Sequence, residues 1–253
     1  MILCDIDGVL AIGPNGRDTE PGQAIYPTFR TRPSELDSIR LAGIPFCIVT
    51  AKVEVEAQQI LSAIDLLDHV DAVVGADKLF WPTLALDLSA GRIPSVIRKS
   101  VSRRFLPRSH GLPVVMIEDR RANLEEMLLS RSIDFGILIP PPREKRQPPC
   151  GWFDLEAALR LARTAVQGEL ELSALEMEGI KVVKWLEGGG AEVGGSDRPL
   201  LLELPSLGPS VYINNPSPIV PVGTLRGSRR EVVSWVRAFL RWYRSRRLKS
   251  VPT

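Results

Sequence analysis

Five short apolar runs punctuate the first 140 residues: Ile2–Cys4, Pro45–Val49, Val70–Val74, Val114–Ile117 and Phe135–Ile139. Each is continuous rather than alternating, the pattern of strands buried on both faces. Between them, apolar positions recur at helical spacing. Pro33–Ala42 carries Leu36, Ile39 and Leu41 and meets a stop signal at Gly43. Glu54–Ile64 carries Val55, Ile60, Leu61 and Ile64, and Ala122–Leu129 follows the fourth run. This alternation predicts an α/β fold, a mostly parallel sheet with helices on both faces.

The pattern then changes. Pro140-Pro141-Pro142 and Pro148-Pro149, with Arg143, Lys145 and Arg146 between them, cannot continue a helix or a central strand. A boundary is expected within 141–150, dividing a domain over 1–145 from a smaller C-terminal α+β region over 146–253. In that region Phe153–Val166 reads as a helix. Residues 180–225 read as strands and turns, with Ile180–Trp185, Gly188-Gly189-Gly190, Leu200–Leu204 and Val211–Ile213. Ser228–Leu248 reads as a basic amphipathic helix, with Val232, Val236, Phe239 and Tyr243 forming its apolar stripe.

Composition narrows the chemistry. The 253 residues are 44% hydrophobic and 25% charged, enough to bury a core in one large domain or two small ones. The net charge of +2 is a cancellation: residues 1–150 hold 18 basic and 19 acidic residues, 151–225 hold 5 and 10, and 226–253 hold 9 and 1. There are two histidines, His69 and His110, and three cysteines, Cys4, Cys47 and Cys150. No C-x-x-C pair and no helical His-x-x-x-His pair is present, which argues against zinc, and so sparse a cysteine set argues against a disulfide framework. No apolar run approaches the roughly 18 residues of a membrane span. The apolar start Met1–Leu3 runs straight into Asp5 and Asp7, unlike a signal peptide, so a cytoplasmic protein is expected. Chemistry is left to carboxylates, hydroxyls, amides and cations.

The carboxylates stand at informative places. Ile2–Cys4 is followed by Asp5-Ile6-Asp7-Gly8-Val9. Active sites of parallel α/β sheets form at the carboxyl ends of strands, and two aspartates there can divide nucleophilic and proton-transfer work. The second strand ends in Thr50-Ala51, where a hydroxyl and backbone N–H groups suit phosphate oxygens. The fourth ends in Glu118-Asp119, with Asn123 one helical turn further on and able to hydrogen-bond within that shell. Strand ends bearing Asp5, Asp7 and Asp119 suit a hard, oxygen-ligated cation such as magnesium. Lys99, just before the helical pattern Ser100–Leu106, is a candidate to neutralise a phosphoryl group, and Lys78 and Lys52 are its competitors.

This ordered set resembles the four motifs of the haloacid dehalogenase-like hydrolases, over about residues 1–140. The resemblance implies a Rossmann-like sheet and a magnesium-dependent phosphatase. Asp5 is then the nucleophile that forms an aspartyl-phosphate, and Asp7 the general acid and base. Thr50, Ala51 and Lys99 hold phosphoryl oxygens. Magnesium is held by Asp5, Asp119 and the Asp7 carbonyl, with Glu118 and Asn123 behind them. Two departures stand out: the fourth motif reads Glu118-Asp119-Arg120-Arg121-Ala122-Asn123, where members often have Gly or Asp before the aspartate and an acid near Asn123, which leaves the metal shell less acidic, and no proline follows Lys99.

Members of that family often carry a cap domain. Here Val9–Arg32 has the length of a flap, and Ala76–Arg98, around Phe80, Trp81 and Pro82, is too short for a large cap, so a nearly capless site is expected. An open site suits a large phosphorylated substrate, or closure by another subunit or by the C-terminal segment. The arginine-rich residues 226–249 either dock by their apolar face on the acidic 151–225 segment or contact nucleic acid, the latter implying a phosphatase of nucleic-acid ends. A third reading is a binding or regulatory module that keeps the fold without turnover.

Overall fold

The computed structural model describes residues 1–14, 18–19, 23–91, 97–109, 111–140, 152–184 and 200–207. In chain order the elements are β1 Ile2–Cys4, β2 Ala11–Ile12, β3 Tyr26–Pro27, α1 Glu35–Leu41, β4 Phe46–Val49, α2 Glu54–Ala63, β5 Ala72–Val74 and α3 Ala76–Ser89. There follow a 3-10 turn at Lys99–Phe105, β6 Val115–Glu118, α4 Arg121–Leu129, β7 Phe135–Leu138, α5 Leu155–Gln167, α6 Leu172–Met177, β8 Lys181–Lys184 and β9 Leu200–Glu203.

One seven-stranded sheet runs β5-β4-β1-β6-β7-β9-β8. Every pairing from β5 to β9 is parallel, and β8 closes the edge antiparallel to β9. The five apolar runs are the five strands expected, and their continuity has a simple cause: both faces are covered. Alternate residues go to opposite faces. Ile2, Cys4, Phe46, Ile48, Val115 and Ile117 share a core with α1, α2 and α5. Leu3, Cys47, Val49 and Met116 share the other with α3 and α4. The result is a three-layer, Rossmann-like α/β fold.

The described residues beyond 151 join this sheet. β9 pairs with β7 in register Phe135↔Leu200 to Leu138↔Glu203. α5 packs on β1, β6, β7 and α1. Trp152 and Phe153 are buried in the same core, and Trp152 Nε1 donates to the Pro140 carbonyl at 2.7 Å. Among the described residues, one ladder and one core include elements from both sides of the expected division at 145/146: β9 pairs with β7, and α5 packs on β1 and β6. Residues Gly188-Gly189-Gly190, Val211–Ile213 and the helix expected over Ser228–Leu248 lie outside the described residues, as do His110 and Cys150.

Neither expected insertion point holds a cap among the described residues. After β1 the chain makes a two-stranded ribbon, β2 with β3, stapled by the Thr28 hydroxyl donating to the Val9 carbonyl at 2.6 Å. After β5 comes α3, one continuous helix with Pro82 inside it. No described helix is long and apolar enough to cross a membrane. Strand order runs outward on both sides of β1, toward β4 and β5 one way and β6 and β7 the other. That reversal opens a crevice at the carboxyl ends of β1 and β6.

Candidate active site

Asp5 is the first residue beyond β1. Its N–H donates to Ile117 of β6 at 3.0 Å, so its backbone is still held by the ladder. One carboxylate oxygen accepts the Ile6 N–H at 2.8 Å, and the other lies 2.6 Å from Lys99 Nζ. The same ammonium is 2.6 Å from Glu118 Oε2 at the end of β6. Lys99 is thus a buried cation between two buried carboxylates. Burial by itself would lower the Lys99 ammonium, but the flanking Asp5 and Glu118 charges outweigh it and hold it above its ordinary value. Burial pushes the Glu118 carboxyl well above the usual range, and nearby Asp5 adds to this.

The backbone around Lys99 is clamped from two helices. Arg98 N–H donates to Thr83 Oγ1 at 3.0 Å, and its guanidinium forks Asp87 Oδ1 at 2.9 and 2.8 Å. Glu126 of α4 receives the Ser100 hydroxyl and lies 3.5 Å from Arg98 Nη1. These bonds fix the segment that carries Lys99. Of the two competing lysines, Lys78 pairs with Glu54 at 2.7 Å on α2, away from this cluster.

Lys52 is at the site but does different work. Its Nζ lies 3.1 Å from Asp7 Oδ2 and 3.3 Å from Glu56, and it contacts the Thr19 carbonyl. The other Asp7 oxygen accepts the Thr19 N–H at 2.8 Å and the Thr19 hydroxyl at 2.7 Å. Burial pushes the Asp7 carboxyl up to about 6, against the opposing pull of Lys52 and Thr19. A carboxyl near that value can both give and take a proton at neutral pH. Thr19 went unnoticed in the sequence, where a flap threonine has no periodicity or spacing to mark it.

Thr50 is buried at the end of β4, with its N–H on the Val74 carbonyl at 3.1 Å and its hydroxyl accepting the Lys52 N–H at 3.3 Å. Ala51 beside it is exposed. Asn123 lies in the first turn of α4, its N–H on the Arg120 carbonyl at 3.0 Å. No hydrogen bond joins its side chain to Glu118 or Asp119 among the described residues.

Asp5, Glu118 and Asp119 bring carboxylate oxygens within 4.8 Å of one another. Both Glu118 oxygens are engaged, one by Lys99 and one by the Arg120 N–H at 3.3 Å. Asp119 Oδ1 is buried without a partner. Three carboxylates crowd around one buried ammonium, and burial raises the Asp119 carboxyl as well. An all-oxygen donor set with an orphaned buried oxygen fits a hard divalent cation.

Gly8 makes this closeness available. Its φ is +76°, and a Cβ there would lie 2.4 Å from Asp119 Oδ2. Gly8→Ala is expected to cost about 1–2 kcal/mol for the left-handed backbone alone, and more for the displaced carboxylate. Denaturant unfolding should show the loss, and a magnesium titration followed by thermal shift should show a weaker midpoint. An unchanged midpoint would mean that Asp119 does not ligate the metal.

The architecture is a mostly parallel seven-stranded sheet with helices on both faces, as the alternation of runs predicts. No protein-family model matches the chain, and no curated protein matches it. Among solved structures, it is similar to a HAD-superfamily hydrolase from Ehrlichia chaffeensis at 16% identity and TM-score 0.27, covering 42% of this chain and 46% of that one. The match thus spans less than half of the Ehrlichia protein. A putative 3-deoxy-D-manno-octulosonate 8-phosphate phosphatase from Vibrio cholerae matches at 11% identity and TM-score 0.37, covering 68% and 86%. The same phosphatase from Moraxella catarrhalis, in complex with magnesium ion, phosphate ion and KDO molecule, matches at 15% identity and TM-score 0.36, covering 66% and 87%. These are partial likenesses, and the chemistry below comes from this chain's own side chains.

Proposed function

We propose that this chain is a magnesium-dependent phosphohydrolase of phosphate monoesters, with Asp5 as nucleophile and Asp7 as general acid and base. The observation that carries the reading is the Asp5 carboxylate: buried at the carboxyl end of β1, 2.6 Å from Lys99, in one cluster with the unpartnered oxygen of Asp119. A carboxylate and a phosphate repel, so a nucleophile of this kind needs cations around it.

In the first step an Asp5 oxygen bonds to phosphorus and the ester P–O bond breaks. The leaving oxygen takes the proton of Asp7, which Thr19 and Lys52 hold in place. The product is an aspartyl-phosphate on Asp5. In the second step Asp7, now ionised, takes a proton from water as the water oxygen bonds to phosphorus and the Asp5–phosphorus bond breaks. Lys99, 2.6 Å from Asp5, orients its carboxylate before attack and neutralises phosphoryl oxygens during it. The Thr50 hydroxyl and the Ala51 N–H are the expected donors to the remaining oxygens. Asp5, Asp119 and the Asp7 carbonyl would hold magnesium, which would supply charge neutralisation of the phosphoryl oxygens. Free, buried Cys4 and Cys47 suit a reducing cytoplasm.

The test is inorganic phosphate release from a panel of sugar phosphates, sugar-acid phosphates and nucleotides. Release is expected with magnesium, falling to background with a chelator and returning when magnesium is added in excess. Silence across the panel with full metal would favour the reading as a module without turnover.

A further inference from the structure

Two neighbouring flap residues reach across the mouth of the site. Thr19 bonds to Asp7, and Asp18 meets Arg120, with Arg120 Nη2 donating to both Asp18 oxygens at 2.9 and 3.2 Å. Arg120 directly follows Asp119 and caps the N-terminus of α4, and its own N–H is fixed on Glu118. Its guanidinium is close enough to act electrostatically on Asp119 and Asp5.

The other cations of the site are taken. Lys99 is buried between two carboxylates, and Lys52 is tied to Asp7 and Glu56. Arg120 instead stands at the solvent face, 59% exposed, against a counter-ion that is also 59% exposed. An exposed ion pair contributes little to stability, and its partner exchanges readily. A guanidinium suits a two-pronged oxyacid better than it suits anything else a substrate offers. With a two-stranded flap and no cap among the described residues, recognition of the leaving group falls to this rim.

We infer that Arg120 receives a second anionic oxyacid group, a carboxylate or a phosphate, on the leaving group of the substrate, and that Asp18 occupies that seat until substrate arrives. The inference rests on the phosphohydrolase reading and names its substrate class: phosphate monoesters bearing another anion near the ester.

Matched esters test it on the full chain with magnesium. 3-Phosphoglycerate and glycerol 3-phosphate differ by a carboxylate against a hydroxymethyl group, and fructose 1,6-bisphosphate and fructose 6-phosphate by a phosphate. The doubly anionic member of at least one pair is expected to win by about tenfold or more in kcat/KM, chiefly through KM. The winning pair tells carboxylate from phosphate. Arg120→Gln should collapse that ratio toward one, and Asp18→Asn should raise it by freeing the guanidinium. A wild-type ratio near one in both pairs, or a ratio that Arg120→Gln leaves intact, overturns the assignment. So do equal losses on both members together with the same direction of change in both variants, the result of a mere flap latch. If no ester is hydrolysed, the phosphohydrolase reading fails by itself. The same pairs are then compared by calorimetric binding to the magnesium-loaded chain, where equal affinity for both members overturns the role of Arg120.

Discussion

Asp5→Asn is expected to abolish phosphate release, by at least about 10³-fold, in a chain that remains folded. The substitution keeps the shape of the side chain and removes the charge and lone pair that attack phosphorus. Its structural cost is bounded on two sides. The asparagine oxygen can still accept either the Ile6 N–H or the Lys99 ammonium, the two donors that Asp5 now serves at 2.8 and 2.6 Å. It cannot serve both, so one contact weakens. Against that, one of three crowded carboxylates loses its charge, which relieves Glu118 and Asp119. A small shift in Tm with complete loss of turnover is the expected pair of readings. Turnover that survives in a folded variant would rule out Asp5 as the nucleophile.

Lys99→Met is expected to strike stability as well as activity. The ammonium lies 2.6 Å from both Asp5 and Glu118, and its side chain is 3% exposed. Removing one member of a buried ion pair leaves the other charge without compensation, at a cost of about 3–5 kcal/mol. Here two carboxylates are left facing one another, so the upper end is expected in denaturant unfolding at neutral pH. The double variant Lys99→Met with Glu118→Gln separates the two effects. The introduced amide oxygen can still accept the Arg120 N–H that Glu118 now takes. Part of the stability should return, because the repulsion is gone, while phosphate release should stay at background. A Lys99→Met protein as stable as wild type would contradict the account of the triad.

Much of this was legible along the chain, for identifiable reasons. Strands buried on both faces need unbroken apolar runs, and Ile2–Cys4, Phe46–Val49 and Val115–Glu118 are buried throughout, so their runs marked them. Polar residues directly after such runs fall at the carboxyl edge of a parallel sheet, which put Asp5, Thr50 and Asp119 on one rim. The helix Phe153–Val166 was also legible, since α5 buries one continuous face. Its destination was not. Nothing in its periodicity says that it covers β1 and β6, or that β9 follows to extend the sheet beyond β7.

Runs of residue type along the chain suffice for the layers of the fold and for the carboxylates at its strand ends. Those properties are local, set by runs of residue type that read the same in any context. Only the tertiary structure decided which charges meet. Lys52, Lys78 and Lys99 are alike as letters. They part because β4 carries Lys52 to Asp7, α3 turns Lys78 toward Glu54, and the Arg98 clamp sets Lys99 between Asp5 and Glu118. Asp18 and Thr19 reached the site in the same way, across 102 residues to Arg120 and 33 to Lys52. Contact between charges far apart in sequence depends on how the chain returns, and the return path is fixed by the packing of the whole sheet.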